Sequence, residues 1–113
     1  MLLASALSAH HSDAAYDVQK PIVLQGVVRA FRWENPHIRI DLDVRDAGGA
    51  VVTWRVEGNP PGRIRGRGLK DAITIGDRVT IGAYRAKDPS QHSALGYDLL
   101  LTDGRRFAIG MDP

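Results

Sequence analysis

Residues 38–45 alternate without interruption between apolar and charged side chains. Ile38, Ile40, Leu42 and Val44 fall on one parity and Arg39, Asp41, Asp43 and Arg45 on the other. Successive side chains of an extended strand point to opposite faces, so this period of two puts all four apolar residues on one side. A strand with one apolar face must bury it against a second layer, which commits the chain to a sheet folded over a core.

The flanking sequence repeats that pattern. Asp46-Ala47-Gly48-Gly49 is a turn by composition, and Val51 to Glu57 puts Val52, Trp54 and Val56 on one face. These two segments are predicted to form an antiparallel hairpin. Upstream, Ile22 to Trp33 is a long strand with apolar residues on both parities and Gly26 near the join, as expected of a strand that bends or bulges to serve two sheets. Downstream, Arg78 to Arg85 places Val79, Ile81 and Ala83 inward and Tyr84 outward. Leu95, Tyr97, Leu99 and Leu101 share a face of a fifth strand, and Asp103-Gly104 turns into a short closing strand from Arg105 to Ile109. Between strands three and four, Asn59-Pro60-Pro61 is a stop signal. Ile64 and Leu69 could anchor a short helix or turn there, although Gly62, Gly66 and Gly68 weigh against a firm helix.

Three strands, an insert and two or three more strands predict an all-β chain with at most one short helix. The expected architecture is a small OB-like, five- to six-stranded Greek-key barrel; an unrelated β-sandwich is the alternative. The organisation expected is a partial signal-like segment at 1–9, a tail at 10–20 and a single barrel at 21–110.

Composition excludes several functions. There is no cysteine, which removes disulfides, thiolate metal sites and thiol catalysis together. The formal net charge of +2 is too small to point to nucleic acid on its own, although a pI near 9.3 leaves it open. With aromatic residues at only 6%, Phe31, Trp33 and Tyr84 are expected in core or rim packing rather than stacked on bases, so no nucleic-acid partner is expected. The stretch Gly62 to Gly68 matches neither phosphate-loop nor dinucleotide spacing, and no nucleophile-elbow motif is present. Asp41 and Asp43 are expected to pair with arginines on an exposed face. The chain is read as not an enzyme, and no later segment is apolar enough to span a membrane.

Histidine is the one residue type with a case for site chemistry. Met1 to Ala9 is apolar and rich in small residues, like the second half of a secretory signal with Ala9 as a cleavage position, so a periplasmic or secreted location is expected. Cleavage there would leave His10 as the N-terminus, where its α-amine and imidazole could chelate one metal, with His11 and His37 adding nitrogens. Such a nitrogen-rich set favours Cu(II), so copper is the candidate cofactor and His10, His11 and His37 the candidate ligands. A solvated tail is the plainer reading of the first two. Trp33, Asn35 and His37 form a candidate ligand rim at the turn before the second strand. His92 lies in a polar loop. The expected partner is a small ligand, a metal or a protein.

His10-His11-Ser12, Lys20-Pro21, Gly26-Val27-Val28, Trp33-Glu34-Asn35-Pro36-His37, the segment 76–81, Tyr84-Arg85-Ala86-Lys87-Asp88 and Asp103-Gly104-Arg105 together resemble a family of small exported bacterial proteins of unknown function. The resemblance covers roughly residues 10–110. It implies export and a small barrel, and it carries no established activity or ligand. The chain departs from that pattern in a shortened signal region and in the glycine-rich insert.

Overall fold

The computed structural model describes residues 15–64 and 68–110. Six strands follow in order: β1 (Tyr16–Arg32), β2 (Arg39–Arg45), β3 (Val51–Glu57), β4 (Arg78–Ala86), β5 (Ser93–Leu101) and β6 (Arg106–Ala108). Between β3 and β4 lie a single 3-10 turn, Pro61–Arg63, and a four-residue helix α1, Leu69–Ala72. Pairing runs β3-β2-β1-β4-β5-β6, and β3 also pairs in parallel with β5, so the first five strands close into a barrel. This is the OB-like architecture expected from the strand order. β6 lies against the far end of β5.

The β2–β3 hairpin stays in register from Arg39 opposite Glu57 to Arg45 opposite Val51. Its alternation delivers what it implies: Ile38, Ile40, Leu42, Trp54 and Val56 are buried together with Val28, Val79, Ile81 and Leu99. Val44 and Val52, expected inside as well, are half-buried because they lie at the open end of the barrel. Ile64 and Leu69 are both buried, so the insert is anchored by the two residues that the sequence offered.

β1 begins at Tyr16, ahead of the expected Ile22, and serves both sides of the barrel. Its first part pairs with β4 as far as Val27 opposite Arg78; its second part pairs with β2 from Val27 opposite Asp43 onward. Gly26 sits at the crossing. A Cβ there would collide with the carbonyl oxygen of Asp43, so glycine lets β2 cross close over β1. The bulge itself falls later, between Val28 and Ala30.

One expected face holds with an unexpected burial, and one is corrected. Tyr84 is on the outer face, as its parity requires, but it is buried: it packs with Tyr16 and Ala86, flanked by Leu95 and Tyr97, in a second cluster outside the barrel. And Leu95 and Tyr97 do not share a face with Leu99 and Leu101. The register between β4 and β5 shifts at Gly82/Ala83, with Tyr97 as the extra residue. Ala94 and then Leu99 and Leu101 point inward, because a one-residue bulge exchanges the faces of everything beyond it. Among the described residues no helix is long and apolar enough to cross a membrane.

Candidate functional site

Trp33 and His37 of the β1–β2 turn each have a partner of their own. Trp33 packs against the core and meets Phe31 edge-on at 6.1 Å between ring centroids. Asn35 is exposed. The Nδ1 of His37 lies 3.0 Å from the carbonyl oxygen of Gly58. A carbonyl only accepts, so Nδ1 carries the proton and Nε2 keeps its lone pair in the neutral ring. The same junction is tied by backbone bonds from Gly58 N–H to Ile38 and from Asn59 N–H to Ile109. A Cβ on Gly58 would stand 2.8 Å from the Ile109 oxygen and 2.9 Å from Ile38, so the close seam depends on glycine. His10 and His11 lie outside the described residues. Among the described residues no three histidine or carboxylate side chains gather as a metal site.

Charges on the outer face of the β1–β2–β3 sheet are largely committed to one another. Asp43 accepts from the Thr53 hydroxyl at 2.7 Å and lies 3.6 Å from Arg29. Asp41 stands 3.7 Å from Arg39 and 3.8 Å from Arg55, too far for hydrogen bonds. The expected pairing of these aspartates with arginines is present. Arg45, however, donates to the carbonyl of Gly49 at 2.9 Å instead. At the barrel mouth Arg85 lies 5.0 Å above the Trp54 ring and donates to the Pro89 carbonyl, while His92, exposed, meets Trp54 edge-on at 5.3 Å. Burial, with Glu57 next in weight, holds the Tyr16 phenol above its ordinary value against the opposing pull of Arg55.

A groove of about 870 Å³ lies between β1 and the tip of the β2–β3 hairpin. It exists because β1 and β2 part company beyond the Val27–Asp43 pair. Val23, Gln25, Val27, Arg45, Val51 and Arg78 line it, and Asp43 is its only acidic lining residue. Val23 and Val51 are 67% and 56% exposed. Arg78 is exposed and has no side-chain partner among the described residues. These residues were not singled out from the sequence. The available signal was a valine, Val23, on the polar parity of a strand, where burial does not require it.

The family of unknown function DUF6152 matches residues 1–95. The chain belongs to this family. No curated protein matches it in sequence. Two crystal forms of the mitochondrial single-stranded DNA binding protein Rim1 from S. cerevisiae have a similar fold. One has a TM-score of 0.58 at 14% identity, over 74% of this chain and 93% of Rim1. The other has the same TM-score at 15% identity, over 82% and 98%. At that identity the likeness shows the fold alone. It nevertheless corrects the expectation of no nucleic-acid partner. Low aromatic content and small net charge were the grounds for that exclusion, and proteins of this barrel shape bind single-stranded DNA.

Proposed function

We propose that this DUF6152 member is a non-enzymatic, exported binding module whose ligand occupies the groove between β1 and the β2–β3 hairpin. The observation that carries the reading is the groove itself. It joins exposed valines to Arg78, an arginine without a side-chain partner among the described residues, on a barrel whose other charges are mostly engaged. Apolar walls with a few placed polar groups are what a binding concavity needs, and a volume near 870 Å³ falls in the range of ligand sites. Export is supported by the apolar start and Ala9-His10.

The test is methyl-resolved NMR of the full chain. Three probes are added separately: an oligothymidylate of about fifteen nucleotides, a short acidic peptide, and Cu(II). The methyls of Val23 and Val51 are expected to shift with at least one of them. Shifts confined to other surfaces, or none, would defeat the reading.

A second reading, copper binding by a chain that starts at His10, has its own support. A histidine whose Nδ1–H is held by a carbonyl, as His37 is by Gly58, has Nε2 oriented for a metal, the usual outer-shell arrangement of a ligating imidazole. Calorimetric titration with a competing chelator should then give tighter Cu(II) binding to the His10-initiated chain than to the 113-residue chain. His10→Ala should weaken it most. Affinity should fall below about pH 6.5 as protons compete for imidazole. Equal, weak affinity in both chains would remove this reading.

A further inference from the structure

We infer that the open edge of β1, at Val23 and Gln25, accepts a short extended segment of an acidic polypeptide as an added strand. The inference rests on the groove reading above and names the ligand class.

The backbone directions set the geometry. Val28 donates to Asp77 and accepts from Gly76, so its peptide groups face the β4 side. Alternation along the regular β1–β4 register then turns Leu24 and Gly26 the same way and leaves the N–H and C=O of Val23 and Gln25 facing outward. Among the described residues no strand pairs with that side of β1 before Val27. Across the gap, Asp46 bonds to Ala50 of the hairpin turn, so even-numbered β2 residues face β3. The peptide groups of Arg45 therefore face the gap, beyond the last β1–β2 pair at Asp43. The groove is thus walled by backbone donors and acceptors that the barrel does not use.

Such an edge templates an extended chain. Pro21 limits its length. Its parity is that of Val23, so its missing N–H falls on the open side and strand addition ends there.

Side chains select the occupant. Val23 and Val51 offer apolar contact, and Arg45 and Arg78 offer positive charge against the single carboxylate of Asp43. That balance suits an acidic segment with alternating apolar residues and disfavours a second copy of this same basic edge. Among the described residues no aromatic side chain lines the groove, so they offer none of the stacking that holds single-stranded nucleic acid.

The probe is the fluorescently labelled peptide acetyl-Glu-Val-Asp-Val-Glu-amide, measured by anisotropy against the full 113-residue chain. Binding is expected, and Arg78→Glu should weaken it by about tenfold or more. Val23→Pro removes an outward N–H without removing a β4 bond, and should weaken it comparably. A second measurement leaves the protein untouched. N-methylation of alternate peptide residues should abolish binding in one phase of the alternation and spare it in the other, because only alternate amides face β1.

Three outcomes would overturn the inference. The first is a peptide that fails to bind, or binds with no dependence on methylation phase. The second is movement of the Val23 and Val51 methyls by oligothymidylate and not by the peptide, which keeps the groove and removes the peptide. The third is a dimer in sedimentation that Val23→Pro dissociates, which assigns the edge to a second copy. Silence of the groove methyls to every probe would defeat the groove reading as well.

Discussion

Trp54 is the residue on which most of the barrel mouth converges. Its side chain is 7% exposed, with Arg85 over its ring and His92 against its edge. Truncation to Ala would remove that packing and leave a cavity in a core that cannot fully collapse. Urea unfolding of Trp54→Ala should show a loss of about 3–5 kcal/mol; a loss below about 1 kcal/mol would place the ring outside the core. Tyr16 gives a prediction of a different kind. Burial favours the neutral phenol, so the native state keeps a proton that the unfolded state releases near its ordinary value. Above about pH 10 the unfolded chain therefore binds fewer protons, and stability should fall as pH rises through the native value. That fall should be smaller in Tyr16→Phe, which has no phenol to ionise. An identical alkaline profile in both proteins would contradict the assignment of this burial to Tyr16.

At the level of elements, β1 depends on one small residue. Gly26→Ala would drive a methyl group into the Asp43 carbonyl, a backbone atom that cannot swing aside. The cost should be about 1–3 kcal/mol by thermal or urea unfolding, and an unchanged midpoint would mean that β2 does not cross where it is placed. This strand also shows what the sequence could and could not reveal. The hairpin of β2 and β3 was legible nearly residue by residue, because one wet face and one buried face impose alternation. β1 was legible as a strand that bends, from its mixed parities and Gly26, but the extra residue at the bend is set by its pairing with β2. β5 misled for the same reason. Its four apolar residues at even spacing hide the bulge at Tyr97, which no local pattern announces and only the partner strand reveals. The candidate site divides likewise. His37 was singled out from the sequence by its place after Pro36, but its bond to the Gly58 carbonyl was not legible, because that partner comes from a strand end 21 residues away. The groove was not legible, since it arises from where two strands separate, and no residue type marks that place.

For the whole molecule, closure of β1, β2, β3, β5 and β4 into a barrel leaves few unpaired backbone groups, and the parting of β1 from the hairpin leaves some of them side by side. The strand pairing and the likeness to Rim1 establish the kind of barrel. The use made of it depends on whether that edge is free. Residue-resolved amide hydrogen exchange of the unliganded chain tests this most directly, since an amide bonded in a ladder is protected and one facing solvent is not. The expected result is an alternation: fast exchange at Val23 and Gln25, slow exchange at Leu24 and Val28. Uniform protection across these four residues would mean that the edge is already paired, and would contradict the account.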